Sequence, residues 1–356
     1  MNQEKQIIFE VRGSVGIITL NRPKALNALS FEMIREISAL LDAWENDASV
    51  QCVVFQGEGR AFCAGGDIKS FYETVAAYRL GEIDMEQAAY FFDWEYSLNK
   101  RLFHYPKPTI ALMDGIVMGG GYGIAGNCQH RIASENTVFA MPEVGIGFFP
   151  DVGALYHFQK IKEREYARYL LMTGRSIDAA SVFALNMADY SLETDDYDLF
   201  FNSLNEDGCN QALKQLGSQT VRETPFEDYC NEIKDAFADS DVKAVFARLE
   251  GIGSDWSKET LTLLKTRSLI SVCVTAQYFE VSQKWSFDQV ISQDFILAQH
   301  FIEDSDMVEG IRAMLIDKCN NPKWLYDRLY KLNDLNIGRF FASAAYDLGI
   351  LKGMPL

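Results

Sequence analysis

Residues 115–123 read Gly-Ile-Val-Met-Gly-Gly-Gly-Tyr-Gly, and residues 141–153 read Met-Pro-Glu-Val-Gly-Ile-Gly-Phe-Phe-Pro-Asp-Val-Gly. Glycines crowd a backbone bend in the first. In the second, Glu143 and Asp151 stand in an otherwise apolar run. Glycine lets backbone N–H groups come close to a ligand. Carboxylates among apolar residues cost free energy unless something uses or pairs them. Together the two segments point to an oxyanion site with an acid/base group beside it.

The flanks of these segments set the fold class. Thr109 to Met113 is a buried-strand run, and Gly119 to Gly126 opens a helix after it. Arg131 to Ala133 and Val138 to Ala140 read as strands again. Upstream, Ile7 to Val11 and Gly16 to Leu20 form a hairpin signal across Gly13-Ser14. Ser30 caps a helix with an apolar stripe at Met33 or Ile34, Ile37, Leu40 or Leu41 and Trp44. Cys52 to Phe55 is a strand, and Asp84 to Phe103 a long helix. This strand–helix alternation predicts an α/β core. From Glu193 to Phe226 the chain turns acidic and irregular. Beyond Ser254-Asp255 the texture is helical, over Lys258 to Val281, Ser286 to Ile302 and Met307 to Leu315, with a turn or two from Pro322 to Leu332. The expected plan is an α/β core over 1–250 and a helical region over 251–356.

Composition narrows the function class. The 356 residues carry a net charge of −17, which argues against nucleic acid and anionic membrane, since both call for basic surfaces. A small anionic ligand needs only a few local cations. No basic start followed by an apolar core marks a signal peptide, and no apolar run reaches the ~20 residues of a membrane span. The seven cysteines are scattered without Cys-x-x-Cys spacing. They read as reduced thiols of a cytoplasmic protein.

Two glycine clusters are candidate N–H donors. One is Ala61-Phe62-Cys63-Ala64-Gly65-Gly66-Asp67, after a strand; the other is Met118-Gly119-Gly120-Gly121, at a helix start. Free N–H groups at such turns stabilise a developing oxyanion, at ~3 kcal/mol per donor. Either cluster alone also reads as a tight turn. Residues 121–126 match the dinucleotide pattern G-x-G-x-x-G, but the first glycine falls inside the helix rather than before it. Glu143 and Asp151 sit on a segment with too many glycines and prolines for a regular helix. An apolar surround would raise their pKa toward acid/base work; a surface turn and a helix cap are the bland alternatives. Glu95 shares a helical stripe with Phe91, Leu98 and Leu102, which puts it at the stripe's edge or in a site. The four histidines show no ligand spacing, and neither a metal site nor a serine triad is indicated.

The residues from Asn21 to Leu29 (Asn-Arg-Pro-Lys-Ala-Leu-Asn-Ala-Leu), from Ala61 to Ile68 and from Met118 to Gly121 resemble signature segments of the crotonase (enoyl-CoA hydratase/isomerase) superfamily. Phe91-Phe92 with Glu95-Tyr96, Phe139 through Gly153, Glu309-Gly310-Ile311-Arg312 and Asn321-Pro322-Lys323-Trp324 resemble its 3-hydroxyisobutyryl-CoA hydrolase branch. The resemblance implies a spiral of β-β-α units with a C-terminal helical extension. It implies a CoA thioester as substrate, with no separate cofactor, and an oxyanion hole from Gly66 and Gly120. By motif position Glu143 and Asp151 are the reacting carboxylates and Glu95 a substrate contact. Lys24, Ala25 and Leu26, with Ala64, Gly65, Asp67 and Ile68, fall in the substrate-binding segments. A homo-oligomer, trimer or smaller, is also implied. Hydratases of the superfamily carry a glutamate two residues after the triple glycine, and here that position is Gly123. The contrast favours hydrolysis of a short 3-hydroxyacyl-CoA, as in valine breakdown, with Glu143 as nucleophile or base. An isomerase or hydratase, a silent CoA-ester binder and a nucleotide-dependent oxidoreductase are the rivals. Two departures from the branch bear on substrate range: Ala154-Leu155 where further glycines are usual, and Val144-Gly145 after the glutamate.

Overall fold

Strand pairs followed by helices recur through the first half of the chain. The computed structural model describes residues 5–216, 226, 228–327 and 329–349. Backbone contacts group the chain into two discontinuous units. The first holds Met1–Asp67, Ser97–Phe139 and Ile177–Pro225; the second holds Ile68–Tyr96, Ala140–Ser176 and Phe226–Leu356. The cut expected near residue 250 divides the chain by texture, and contacts partition it differently.

In the first unit the strands are β1 (Ile7–Arg12), β2 (Val15–Leu20), β3 (Cys52–Gly57), β4 (Ala61–Cys63), β5 (Thr109–Met113), β6 (Ile116–Met118), β7 (His130–Ala133), β8 (Val138–Ala140), β9 (Ile177–Asp178) and β10 (Tyr190–Ser191). A six-stranded sheet runs β1-β2-β3-β5-β7-β10, and a four-stranded sheet runs β4-β6-β8-β9. The pairs β3/β4, β5/β6 and β7/β8 each give one strand to each sheet, which is the β-β-α spiral read from the sequence. Only β1 pairs antiparallel in the larger sheet. Its inner strands β3 and β5 carry the continuous buried apolar runs Cys52–Phe55 and Ile110–Met113, as expected where both faces are covered. Val54 lies between Ile17 and Ile110 in register, and all three are buried.

The Phe31–Glu45 helix buries the stripe Met33, Ile34, Ile37, Leu40, Leu41 and Trp44, and the Ser30 side chain caps it by accepting from Met33 N–H. The stretch after Glu193, expected to be irregular, instead forms helices Tyr197–Glu206 and Cys209–Leu216. Phe200, Phe201, Leu204, Ala212 and Leu213 pack with Val54, Ile110 and Leu112 in one core. Burial against the sheet overrides the acidic flanks that hid this stripe from sequence reading. Residues 217–225, within that same stretch, lie outside the described residues.

In the second unit the helices Ile68–Arg79 and Arg164–Thr173 and a C-terminal set from Cys230 onward account for most of the order. One continuous helix expected over 258–281 is two, Asp255–Lys265 and Leu269–Val281. Ser268 breaks the run and caps the second helix through Ser271 N–H. The Phe287–Glu303 helix starts with a Ser286/Gln289 capping box. Among the described residues no helix is long and apolar enough to cross a membrane.

The triple glycine has a steric cause. A Cβ on Gly121 would stand 2.1 Å from Cys63 O, on the backbone of β4. Gly121→Ala must therefore move β4 or the Gly120–Ala125 helix, and is expected to destabilise the protein by ~1–3 kcal/mol. Denaturant unfolding measures this; an unchanged midpoint would refute the close approach.

Candidate active site

Backbone bonds stitch the first unit's candidate residues into one patch. Pro23–Ala25 form a 3₁₀ turn, and Leu26 follows in the left-handed region at φ 51°. Leu26 O accepts from Ala64 N–H at 3.0 Å, Gly65 O from Leu29 N–H at 2.8 Å, and Leu29 O from Asp67 N–H at 2.8 Å. The N–H groups of Ala64 and Asp67 are thus taken, while that of Gly66 lies outside this ladder. Arg22 ties the patch from beneath, donating to Asp67 Oδ2 at 2.9 Å and to Ala28 O at 2.6 Å. Lys24 and Ala25 are exposed at the rim.

The second glycine turn abuts this patch. A Cβ on Gly65 would stand 3.5 Å from Met118 O and 3.9 Å from Gly120 N. Gly120 is the first residue of its helix, so its N–H has no intrahelical carbonyl. The structure therefore brings Lys24, Ala25, Leu26, Ala64, Gly65, Gly66, Asp67 and Gly120 into one neighbourhood. Gly123 lies inside the short helix, with its carbonyl accepting from the side-chain amides of Asn99 at 2.9 Å and Asn127 at 2.8 Å.

The second unit holds the carboxylates. Glu95, Glu143 and Asp151 are 3%, 6% and 5% exposed, so Glu95 is not at the edge of its stripe and Glu143 is not on a surface turn. Ile68, at the start of its helix, also belongs to this unit. Glu143 opens a 3₁₀ turn that ends at Ile146, and Phe148 N–H bonds back to Glu143 O at 3.0 Å. Ser268 N–H secures the turn through Val144 O at 3.1 Å. Aromatic rings surround the cluster. Phe92 stacks on Phe148 with centroids 5.4 Å apart, Phe92 also meets Tyr96 at 5.4 Å, and Phe149 stacks on Phe301 at 5.3 Å.

Polar partners within this apolar setting are few. Tyr96 donates its hydroxyl to Asp151 Oδ2 at 2.6 Å. Glu95 Oε1 and Glu143 Oε2 are buried and lack a hydrogen-bond partner among the described residues. Orphaned carboxylate oxygens of this kind mark places where a ligand or water is to be engaged. The turn after Asp151 is strained: Val152 has φ 56° and Gly153 φ 78°. A β-branched residue in the left-handed region is a real outlier. Gly153 N–H donates to Asp294 Oδ2 at 2.7 Å. Among the described residues no group of three or more His, Cys, Asp or Glu is arranged to hold a metal ion.

Burial controls the protonation of the three carboxyls. It pushes Glu95 and Glu143 well above the usual carboxylate range, and the neighbouring Asp151 pushes both further. Asp151 rises to about 7 by burial, with the Tyr96 hydrogen bond holding it down. Sequence reading located all three. It missed Asp294, although the signal was present. Asp294 follows Val290 and Ile291 by four and three residues on an apolar helical face, the same pattern that singled out Glu95.

A stability prediction follows from these shifts. Asp151 is raised in the folded state from 3.8 to about 7, so the native protein holds a proton there that the unfolded chain has lost. Its contribution is present at low pH and is lost as pH rises through about 7. The melting temperature of Asp151→Asn relative to wild type is expected to climb between pH 4 and 7. A difference flat in pH, by calorimetry, would remove the shift.

Comparison with known proteins agrees with this geometry. A family profile described as enoyl-CoA hydratase/isomerase matches residues 15–341. The chain is similar to "3-hydroxyisobutyryl-CoA hydrolase, mitochondrial" of Xenopus tropicalis, at 35% identity over 96% of this chain and 90% of the relative. It is 34% identical to "Probable 3-hydroxyisobutyryl-CoA hydrolase 3" of Arabidopsis thaliana, over 96% and 92% of the two chains. Among solved structures, a carnitinyl-CoA dehydratase from Mycobacterium thermoresistibile superposes with a TM-score of 0.89 at 33% identity, covering 99% of this chain and 100% of the other. An enoyl-CoA hydratase from Rhodobacter sphaeroides gives 0.87 at 29% identity over 95% and 98%. With the two-sheet spiral, the paired glycine turns and the buried carboxylates in place, the chain belongs to the enoyl-CoA hydratase/isomerase (crotonase) family, among relatives named 3-hydroxyisobutyryl-CoA hydrolases.

Proposed function

We propose that the protein hydrolyses a short 3-hydroxyacyl-CoA thioester, 3-hydroxyisobutyryl-CoA to 3-hydroxyisobutyrate and CoA, as a step of valine breakdown. The observation that carries this reading is Glu143. Its Oε2 is buried, unpartnered and flanked by Asp151, while Gly123 stands where a hydratase places its second glutamate. Adding water across a double bond in this family uses two glutamates on one water. Splitting a thioester needs one group to deliver the attack.

Gly66 and Gly120 N–H groups are assigned to the carbonyl oxygen as it becomes an oxyanion. Glu143, in its ionised form, either takes a proton from a water that attacks the carbonyl carbon, or attacks the carbon itself to form a mixed anhydride that water then hydrolyses to the free acid and the Glu143 carboxylate. In either route the C–S bond breaks, CoA leaves as the thiolate, and a proton of the consumed water ends on its sulfur. Asp151 shares the proton traffic with Glu143, and Glu95 takes the acyl hydroxyl at its free Oε1. The Lys24–Leu26 turn and Ala64, Gly65, Asp67 and Ile68 contact the CoA ester. The reaction draws on side chains and backbone alone and needs no cofactor.

A cytoplasmic setting accords with seven free cysteines, although the Xenopus relative's name is mitochondrial. A homo-oligomer, trimer or smaller, completes the reading. Hydration of an enoyl-CoA is the second reading, because the two structural neighbours carry the names dehydratase and hydratase.

Glu143→Gln is expected to lower kcat for 3-hydroxyisobutyryl-CoA by ~100-fold or more, with binding of the CoA ester retained. Thiol release measures hydrolysis, and loss of enoyl absorbance measures hydration. Near-normal thiol release by the variant would overturn the mechanism. Enoyl-CoA turnover without thiol release would replace it with the second reading.

A further inference from the structure

Asp294 is a fully buried carboxyl that the proposed reaction does not use. It projects from the Phe287–Glu303 helix, and among the described residues no lysine or arginine pairs with it. Its Oδ2 accepts Gly153 N–H at 2.7 Å. Its Oδ1 lies 2.7 Å from the hydroxyl oxygen of Tyr278, and that same hydroxyl oxygen lies 2.8 Å from Val290 O.

Counting hydrogens decides the state of this network. A phenol has one hydrogen, and a backbone carbonyl only accepts. Tyr278 therefore donates to one of its two neighbours. If Asp294 were ionised, all three oxygens would share a single hydrogen. One short oxygen–oxygen contact would then be a buried pair of acceptors facing each other, which is costly. With a proton on Asp294 Oδ1, every contact holds a hydrogen: Asp294 donates to Tyr278, and Tyr278 donates to Val290 O.

We propose that Asp294 is held as a neutral carboxylic acid and in that form is the positioning residue for Asp151. It fixes Gly153, two residues beyond Asp151, without setting a second buried negative charge beside it. The need for such a fastening is on the backbone. Val152 and Gly153 are consecutive left-handed residues, and a conformation of this kind persists only when its surroundings over-determine it. A Cβ on Gly153 would stand 2.3 Å from the Phe287 ring, so the turn is wedged against the same helix that supplies Asp294. The groups that face Asp294 agree with a neutral acid. Burial raises it well above the carboxylate range, the Tyr278 hydroxyl and Gly153 N–H oppose that rise, and the charge of Asp151 adds to it.

The proton changes what a conservative replacement does. Asparagine reproduces a neutral acid here: its amide donates to Tyr278, and its oxygen accepts Gly153 N–H. It does not reproduce an ionised carboxylate. Two measurements on the full-length protein test this. The first is infrared spectroscopy at neutral pH, comparing wild type with Asp294→Asn; the variant is expected to lose the carbonyl stretch of one protonated carboxyl. The second is thiol release, which rests on the proposed hydrolase reading. Asp294→Asn is expected to keep kcat within ~3-fold and to leave the pH profile unmoved, while Asp294→Ala lowers kcat by ~10–100-fold at nearly constant KM.

An infrared spectrum unchanged by Asp294→Asn, or an asparagine variant as slow as the alanine one, would overturn the proposal. If the alanine variant does not fold, the asparagine variant still decides both points. If wild type releases no thiol from any acyl-CoA, the hydrolase reading fails and the infrared comparison alone decides the state of Asp294.

Discussion

Desolvation of three carboxyl groups is the constraint on which the candidate site depends. Glu95, Glu143 and Asp151 are nearly inaccessible to water and lie among stacked phenylalanines. Removing a carboxylate from water is expensive, and the group responds by holding its proton. The second unit meets this cost unevenly. Asp151 receives the Tyr96 hydroxyl and has the mildest environment of the three. Glu95 and Glu143 each keep an oxygen without a protein partner. That inequality sets Asp151, raised to about 7, apart from Glu95 and Glu143, which burial holds well above the usual carboxylate range. It is the kind of divergence from which acid and base roles arise.

A second constraint governs the first unit, and it is steric. Two short strands, β4 and β6, run parallel side by side. The chain leaving β4 and the helix following β6 then share a space that admits no side chain at Gly121. The glycines there are conditions for two backbone segments to approach. The N–H groups of Gly66 and Gly120 are left over by that approach, one outside the ladder around Leu29 and one at a helix start. A feature that looks designed for a ligand is thus also the residue of how two sheets are threaded by one spiral.

Much of this was legible in the chain itself. The parallel strands announce themselves as short apolar runs, and the long helix carrying Glu95 by its period. Loop carboxylates betrayed themselves by their apolar neighbours. Legibility failed where burial outvoted local composition. The acidic stretch after Glu193 hides two helices whose phenylalanines complete the sheet's core. The run from Lys258 to Val281 reads as one helix because Ser268 breaks it by a cap that also reaches Asp306 Oδ2 at 2.7 Å, a contact with a residue far along the chain. Asp294 stands on an apolar helical face that the sequence does show, but its partners Gly153 and Tyr278 reach it only in the fold.

By itself, then, the sequence marked out the candidate residues, because residue type and local spacing fix backbone freedom, hydrophobic period and the presence of a carboxyl. It determined Gly123 as well, and with it the absence of a second glutamate at that position. Tertiary structure alone decided how those residues behave. Whether Glu95 sits in water or among rings, which carboxyl receives a hydroxyl, and where a proton must reside on Asp294 are matters of environment. They depend on solvent exclusion and on hydrogen-bond counts among groups that only folding brings within reach, and no local pattern encodes either.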